Sequence, residues 1–369
     1  MHGWGRPRGN PAAVAELVTM NRTLPRGAVC TVAVILVGLV SLGPVSAQQV
    51  GADSLLHVGT HLPGISLTAK PIALGISGAD TSSDPVGLNA YKSVVGRAPA
   101  ADMIFQNWSE PLYYGSQMNA LEGTGITPII TWDPQLSTGA GIPLSQIAAG
   151  DYNAYIIASA KLAAAAKGTL MIRFAHEMNL SSSSFGPSIN GNTPAEFIAA
   201  WRHVVELFRE NGATNVQWIW SPNVYCDGQC PFTQFYPGDA YVDWVALDGY
   251  NYGPSLGVPW TSLLSVFQGS YQVITALTSK PLMIAETASA EAGGSKAAWI
   301  IQAFLTNIPY SLPRVRAVVW FNRVKSTDWR VNSSAASLAA WETVVASPLY
   351  SGNFGTDPDL RARQHGSGS

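Results

Sequence analysis

Eight short apolar segments recur along the chain and alternate with longer stretches of helical character. The apolar segments are nearly continuous runs, which is typical of strands buried on both faces of a parallel sheet. The predicted strands cover 71–77, 102–108, 127–133, 169–177, 215–221, 242–250, 280–287 and 315–322. Eight strands with intervening helices predict an α/β fold, a closed (β/α)8 barrel. An open doubly wound sheet is the alternative, but no Gly-rich phosphate loop follows the first strand.

Two of the intervening helices carry recognisable end signals. The Ala-rich stretch 151–167 ends at Gly168, a residue that commonly stops helices. A second helix is predicted to begin at Thr193 as N-cap, with Pro194 in the first turn, and to end at Gly212. These signals place helices after the third and fourth strands, as a barrel requires.

The composition excludes several classes of partner. The 369 residues fit one large barrel, which typically needs about 250 residues or more. Charged residues make up 12% of the chain and the net charge is -2, so no basic field is present to attract nucleic acid. We therefore expect no nucleic-acid partner, and we expect a monomer.

The segment 20–47 has the organisation of a secretory signal. Arg22 and Arg26 form a basic start, 28–42 is apolar, and small residues precede a cleavage site after Ala47. The apolar run is shorter than the roughly 20 residues that span a bilayer. The sequence thus predicts a secreted protein without stable membrane insertion after cleavage, with an uncleaved anchor as the alternative.

The predicted domain organisation follows from this signal. Residues 1–47 are an N-terminal extension with the signal, 48–354 form the barrel as a single domain, and the polar 355–369 form a disordered tail. Beyond the signal, the cysteines are Cys226 and Cys230, which share a short Gly-containing segment. A local disulfide is favoured over a metal pair, because no histidine or further cysteine lies near in sequence. We expect no metal and no cofactor.

Polar and aromatic side chains recur where the predicted strands end, and in barrels of this kind those ends build the active site. The residues are Trp108, Trp132, Asp133, His176, Glu177, Asp248, Tyr250, Glu286, Trp320 and Asn322. Glu177 ends the fourth predicted strand and Glu286 the seventh, so two carboxyl groups can meet across the mouth. Glycoside hydrolysis needs such a pair, one to protonate the leaving oxygen and one to attack the anomeric carbon or activate water.

Several ordered motifs resemble those of one enzyme family. The segment RFAHEMN at 173–179 looks like the fourth-strand motif of glycoside hydrolase family 26, the family of β-mannanases and related β-glycanases. The similarity continues in WIWSPN (218–223), YPGD (236–239), VDWVALDGYN (242–251) and KPLMIAET (280–287). It spans at least residues 169–322, and several motifs at barrel spacing are more specific than any single one.

The resemblance implies roles for the main candidates. It implies Glu177 as acid/base, Glu286 as nucleophile and retention of configuration, with the carboxyl groups about 5–5.5 Å apart. His176 is expected to contact the substrate or orient a catalytic carboxylate. Tyr250 is expected to donate a hydrogen bond to Glu286, which keeps the nucleophile ionised. Trp320 is expected to form the sugar platform at the cleavage site, since an aromatic face suits a pyranose ring.

Further candidates for substrate binding lie next to these residues. They are Trp132, Asp133, Arg173 and Asn179. Arg173 has a second interpretation of equal weight, that of a core ion-pair partner. Asp248 is a candidate for contacting and orienting other site residues rather than the substrate.

Two departures from the family pattern concern the sugar that is bound. Family mannanases usually follow the acid/base motif with Gly and then Trp, whereas LSSSSFG stands at 180–186, so that the aromatic wall is absent or replaced by Phe185. They also tend to carry His at the end of the third strand, where this chain has Trp132, Asp133 and Pro134. Both departures leave the chemistry intact.

The predicted function is that of a secreted endo-β-1,4-mannanase with a polysaccharide substrate. A β-1,3-1,4-glucanase or another β-glycanase is the alternative. A carbohydrate-binding barrel that has lost catalysis is a further alternative, but it would have no need of a proton donor opposite a nucleophile.

Overall fold

The computed structural model describes residues 70–78, 85–112, 121, 123–187, 189–225 and 231–354. Eight parallel strands close into a barrel in chain order, and the first strand pairs with the last. The strands are β1 Ala73–Ser77, β2 Ala101–Asn107, β3 Thr127–Asp133, β4 Leu170–Phe174, β5 Val216–Trp220, β6 Trp244–Asp248, β7 Leu282–Thr287 and β8 Val315–Phe321. The predicted (β/α)8 barrel is confirmed, and most strands are shorter than predicted.

Helices follow the strands around the outside of the barrel. In the part of the chain that the structure describes, the α-helices are α1 Pro85–Val95, α2 Leu144–Ala149, α3 Asn153–Ala165, α4 Pro194–Glu210, α5 Leu263–Leu277, α6 Lys296–Gln302 and α7 Ala335–Ala346. The predicted start of α4 is confirmed, because the side chain of Thr193 accepts from the backbone of Glu196 while the side chain of Glu196 accepts from that of Thr193. This reciprocal capping satisfies two amide groups that the helix itself cannot pair.

Alternate residues along each strand separate two hydrophobic layers. One layer fills the barrel interior and includes Met171 and Ile219, and the other lies between the sheet and the helices and includes Ile172 and Trp218. Successive side chains of a strand point to opposite faces, so a residue near a strand end faces either the mouth or the helices according to its parity.

β7 carries one extra residue just before its end. Leu247 of β6 pairs with Ile284, yet the next residue, Asp248, pairs with Glu286, so Ala285 has no partner in that register. The pairing with β8 is also irregular, with shifts between Leu282 and Met283 and between Ile284 and Thr287. Such a bulge re-aims the following side chain. Glu286 consequently shares the inner side with Asp248, although strict alternation from Ile284 would turn it toward the helices.

Several predictions concern residues outside the described ranges, namely the signal at 20–47, the pair Cys226 and Cys230, and the tail at 355–369. None of the helices in the described ranges has both the length and the apolar character needed to cross a membrane.

Candidate active site

The turn after β4 sets the direction of Glu177. The strand ends at Phe174, so Glu177 lies three residues beyond it, and the prediction that Glu177 ends the strand is wrong. Ala175 and Glu177 have φ angles of 45° and 51°, a left-handed conformation that is uncommon outside glycine. The backbone amide of Glu177 donates to the carbonyl of Ser221 at 2.8 Å, which ties the turn to the end of β5. Such backbone persists only where neighbouring structure holds it.

Both carboxyl oxygens of Glu286 accept hydrogen bonds, one from a buried donor and one from a half-buried donor. The guanidinium of Arg173 donates to Oε1 and the phenol of Tyr250 donates to Oε2. Nε2 of His176 lies 3.9 Å from Oε1. The contact expected between Tyr250 and Glu286 is therefore present in the structure.

Arg173 is fully buried and pairs with two acidic residues. Its NH1 group contacts both oxygens of Asp248 at 2.9–3.0 Å, its Nε donates to Thr131 at 2.9 Å, and its NH2 group donates to Glu286. This decides between the two interpretations of Arg173, since a guanidinium occupied in this way contacts carboxylates rather than substrate. Asp248 anchors the guanidinium and also accepts from Ser221 at 3.0 Å.

His176 lies between Asp133, at the end of β3, and Glu286. Its Nδ1 is 2.9 Å from Oδ1 of Asp133, and its ring packs on Phe105 and Phe185 at centroid distances of 5.7 and 6.2 Å. Burial of the ring acts against its charge, but Asp133 and the nearby carboxylates outweigh burial and raise the pKa of His176 to about 9. A charged imidazolium beside Glu286 favours the ionised form of that carboxyl.

The two glutamates have opposite tendencies to ionise. Burial, together with the charge of Glu286, raises the pKa of Glu177, although His176 and Asn223 oppose this. Burial acts in the same direction on Glu286, but Arg173, His176 and the hydrogen bond from Tyr250 outweigh it and lower the pKa of Glu286. Of the two carboxyl groups, Glu177 therefore holds a proton more readily than Glu286, which is the difference that a general acid and a nucleophile need.

Asn179 and Asn223 connect the turn after β4 to the segment after β5. The buried Asn179 donates to the carbonyl groups of Asn223 and Tyr225 at 2.9 Å and accepts from the backbone amide of Asn223 at 2.9 Å. Asn179 therefore holds a loop and does not bind substrate as predicted. Asn223 donates to Oε1 of Glu177 at 2.6 Å. Sequence reasoning did not assign it a role, although it ends the WIWSPN motif directly beyond β5.

Two predicted sugar contacts are wrong. Trp132 is fully buried among Trp108, Tyr155 and Phe174 on the helix side of β3. Trp320 is fully buried against aromatic rings of α6, α7 and the π-helical segment Ala303–Ser311 that follows α6. The physical reason is strand alternation, since the next residues, Asp133 and Phe321, are the ones that face the mouth.

The aromatic side chains at the mouth are different ones. Phe321 packs edge-on against Phe105 and Tyr250 at 6.3 and 5.8 Å, and Trp329 packs on Tyr250 at 5.3 Å. Phe105 is 37% exposed and Tyr252 39% exposed. These rings cover the side of the site that holds Glu286.

On the other side, next to Asn223, stands Tyr225, which is 66% exposed. Its backbone amide donates to Oδ1 of Asn223 at 2.7 Å and its carbonyl accepts from Asn179 at 2.9 Å. Phe185, the possible replacement for the missing aromatic wall after Glu177, is buried against His176. Tyr225 therefore offers an open ring on a fixed backbone.

An open cavity of about 420 Å³ adjoins the ends of β1 and β8 and is lined by residues that include Gly78, Tyr91, Asn322 and Arg323. Its size lies within the range of ~300–1,000 Å³ that ligand pockets usually have. Among the residues that the structure describes, no group of three or more His, Cys, Asp or Glu side chains is arranged to hold a metal ion.

Comparison with known proteins places this site in a family. A model of glycosyl hydrolase family 26 matches residues 151–315, which include β4 to β7 and both glutamates. The chain is 36% identical over 305 residues, 80% of its length, to Endoglucanase H of Acetivibrio thermocellus. The chain belongs to glycosyl hydrolase family 26.

Two further proteins are similar to the chain. It is 36% identical over 91 residues, 23% of its length, to a mannan endo-1,4-beta-mannosidase of Caldalkalibacillus mannanilyticus. The chain spans 32% of the length of the first relative and 17% of the second. The solved catalytic domain of the family 26 endo-beta-1,4-mannanase of Bacillus sp. JAMB-750 has a TM-score of 0.61 at 18% identity, covering 80% of this chain and 90% of that one. This structural likeness supports the fold.

Proposed function

We propose that the chain is a retaining glycoside hydrolase that cleaves internal linkages of a β-linked polysaccharide. The observation that carries this proposal is the pair of carboxyl groups at the barrel mouth with opposite tendencies to ionise, the half-buried Glu177 with a raised pKa and the buried Glu286 with a lowered one. Where the surroundings of two carboxyl groups push their pKa values apart in this way, the group with the higher pKa suits the acid and the group with the lower pKa suits the nucleophile.

In the proposed first step, a carboxylate oxygen of Glu286 bonds to the anomeric carbon while the glycosidic bond breaks. Glu177 gives its proton to the departing oxygen, so the leaving chain departs as a neutral alcohol and a covalent glycosyl-enzyme remains. In the second step Glu177 accepts a proton from water, whose oxygen replaces Glu286 at the anomeric carbon. Arg173 and Tyr250 stabilise the carboxylate that attacks first and is released last.

Cleavage of internal linkages requires sugar units on both sides of the bond. The acid lies on the leaving-group side, because it protonates the leaving oxygen. Tyr225 is attached to the loop that contacts Glu177, whereas Tyr252 and the rings around it surround Glu286. Exposed aromatic faces on both sides support binding of an extended chain.

The substrate we propose is a β-glucan, with mixed-linkage β-1,3-1,4-glucan as the first polymer to test. The relative that matches 80% of the chain is named an endoglucanase. The sequence also departs from the mannanase pattern after the acid/base and at the end of β3. Mannan is the second candidate, because a mannan endo-1,4-beta-mannosidase is 36% identical over 91 residues.

The proposal favours catalysis over binding alone. A barrel that only binds sugar gains little from a buried Arg173 shared between Asp248 and Glu286, since even a paired buried charge usually stabilises a fold no more than well-packed apolar side chains do. The same arrangement is useful where an ionised nucleophile must be kept in a site that excludes water.

We also propose secretion and a disulfide between Cys226 and Cys230, both on sequence grounds alone. The support is the signal-like segment 20–47 and the short spacing of the cysteines. Protein exported by a bacterial or fungal host should begin after Ala47, and reduction should increase its mass by two hydrogens. An unprocessed N-terminus or two free thiols would contradict these proposals.

The deciding experiment is product analysis on defined polymers. The purified protein is incubated with β-1,3-1,4-glucan, β-1,4-glucan, β-mannan and xylan, and new reducing ends are measured. Proton NMR of the first products from a short oligosaccharide then gives the configuration. We expect oligosaccharides of several lengths, formed first in the β-configuration. Inversion to the α-anomer contradicts the mechanism, and no product from any polymer contradicts the function.

A further inference from the structure

Three consecutive carbonyl groups between β8 and α7 are held by buried side chains. We call residues 328–330 the buttress segment. The carbonyls of Asp328 and Arg330 accept from Nζ of Lys296 at 3.3 and 2.8 Å, and the carbonyl of Trp329 accepts from Nε1 of Trp320 at 2.8 Å. The backbone of this segment is thus fixed from the helix side.

The buttress segment places one aromatic ring against the site. Trp329 packs on Tyr250 and Tyr252 at centroid distances of 5.3 and 5.8 Å. Tyr250 in turn donates its phenol proton to Glu286. A shift of the buttress segment would therefore be transmitted through two packed rings to the donor that stabilises the nucleophile.

Lys296 is an unusual residue for this place. It is the first residue of α6, its side chain is 1% exposed, and its ammonium lies 5.6 Å from the centroid of the Trp320 ring. Its third acceptor is the hydroxyl of Ser333 at 2.8 Å. A lysine ammonium has three N–H donors, so two carbonyls and one hydroxyl use all of them. Burying a cation is costly, and a merely space-filling position would favour an apolar side chain.

We propose that Lys296 is a positioning residue for the nucleophile: it fixes the buttress segment so that Trp329 holds Tyr250 against Glu286. This inference rests on the proposed glycosidase function. It also assigns a role to the buried Trp320, which fixes the middle carbonyl of the same segment instead of stacking on sugar.

The protonation state of Lys296 should affect this contact. Burial lowers the pKa of Lys296 to about 8, opposed by the charges of Glu291 and Asp328, while Arg330 lowers it further. A neutral amine keeps only two N–H groups for three acceptors, and the Ser333 hydroxyl already donates to Glu291 at 2.6 Å. One of the three contacts should therefore be lost as the pH rises through about 8, and the contact to Asp328 in the buttress segment is the longest of them at 3.3 Å.

The effect on stability has the opposite sign. The pKa of lysine in an unfolded chain is about 10.4, so between pH 8 and that value the unfolded state binds more protons than the folded state. The titration of Lys296 therefore adds to stability as the pH rises in this window. A fall in activity without a matching fall in melting temperature would separate positioning from unfolding.

The test compares Lys296→Met and Lys296→Arg with Lys325→Met, which removes an exposed lysine of the same β8–α7 connection. Active sites are counted with a 2-deoxy-2-fluoro-β-glycosyl fluoride, which traps the glycosyl-enzyme. Turnover is measured with β-cellobiosyl fluoride, or with β-mannobiosyl fluoride if mannan is the polymer cut. Fluoride leaves without a proton donor, so the titration of Glu177 does not limit the first step.

We expect kcat per counted site to fall about tenfold in Lys296→Met, while its KM changes little. The kcat and KM of Lys325→Met should stay close to those of the wild type. The wild type should lose activity in two stages, near pH 8 from Lys296 and near pH 9 from His176. Lys296→Arg, which stays charged, should show only the loss of activity near pH 9. Unchanged kcat in Lys296→Met, or the same alkaline profile in Lys296→Arg, would overturn the role of Lys296.

If Lys296→Met fails to fold, the alkaline activity profiles of the wild type and Lys296→Arg still test the role of Lys296. A wild type that is neither trapped nor active on either fluoride would overturn the proposed glycosidase function, and the role of Lys296 with it.

Discussion

Asn223 donates a 2.6 Å hydrogen bond to Oε1 of Glu177. An amide donor favours the ionised carboxylate, so Asn223 lowers the pKa of Glu177 against the larger upward effect of burial. The pH at which Glu177 gives up its proton is therefore set by a balance that one substitution can shift.

Removing the donor as Asn223→Ala should raise the pKa of Glu177 further. The alkaline limb of kcat/KM, which reports the proton on the acid, should then move to higher pH. The measurement is the pH profile of kcat/KM on an unactivated oligosaccharide. Asn211→Ala, which removes a side-chain amide at the end of α4, serves as control and should leave the profile unchanged. A limb that moves to lower pH would contradict this account of Glu177.

Removing the proposed acid as Glu177→Ala should slow the cleavage of substrates with poor leaving groups most. Oligosaccharides should lose roughly 10²–10⁴-fold in rate, the usual contribution of general acid catalysis, whereas an activated aryl glycoside should keep a fast first step. Deglycosylation should stay slow, because the base is missing as well. Added azide should accelerate it and give a β-glycosyl azide, identified by NMR. An equal loss on all leaving groups, with no effect of azide, would refute the assignment.

Removing the proposed nucleophile as Glu286→Ala should abolish turnover of every natural substrate, since no covalent intermediate can form. Azide can then attack an activated β-glycosyl fluoride only from the vacated face, so its product should be the α-glycosyl azide. Chromatography and NMR of the azide adducts distinguish the two mutants. Formation of the β-glycosyl azide by Glu286→Ala would mean that the assigned roles of the two glutamates must be exchanged.

Replacing Arg173 by Met should damage both stability and catalysis. Two buried carboxylates would lose their cation, a change that typically costs ~3–5 kcal/mol in unfolding free energy. Arg173 lowers the pKa of Glu286, so its loss should raise that pKa and move the acidic limb of kcat to higher pH. Urea unfolding and pH profiles provide the measurements.

The double variant Arg173→Met with Asp248→Asn is the matched control for Arg173→Met. The double variant also removes the charge of Asp248, which Arg173→Met leaves unpaired, and should recover part of the lost stability. The acidic limb of its kcat profile should stay at the higher pH. Recovery of both would mean that Arg173 acts on the fold alone.

Tyr225 and Tyr252 should affect opposite ends of the substrate. Tyr225→Ala should lower kcat/KM on oligosaccharides about tenfold, as expected for loss of one aromatic face, and leave turnover of a glycosyl fluoride intact, because fluoride carries no leaving-group sugar. Tyr252→Ala should lower both. Tyr225→Phe keeps the ring and should behave as wild type. Equal losses on both substrates for Tyr225→Ala would remove it from the leaving-group side.

Part of this site was predictable from the sequence because the barrel brings its strand ends together. The order of the eight strands was enough to predict a shared mouth for Glu177, Glu286 and Tyr250. Counting by two along β3 and β8 would also have separated Asp133 from Trp132 and Phe321 from Trp320, because alternate residues face opposite sides. The two wrong sugar contacts arose from naming a strand end without assigning its parity.

Other features depend on backbone geometry that local sequence does not reveal. The left-handed residues Ala175 and Glu177 follow a strand whose apolar pattern gives no sign of a turn. Lys296 opens a helix far in sequence from the carbonyls it binds, so its role becomes visible only once the β8–α7 connection folds over α6. Long-range convergence of this kind follows from tertiary packing and has no local signature.

The extra residue at Ala285 makes the direction of Glu286 depend on the register of the backbone rather than on any side chain. Without Ala285, Glu286 would follow Ile284 directly, and strict alternation would still turn it to the inner side, opposite Asp248. With Ala285 present but the ladder regular, the same glutamate would face the helices. A related chain with a seventh strand shorter by one residue at this point can therefore keep the glutamate at the mouth, whereas one of the same length keeps it there only if its strand also bulges.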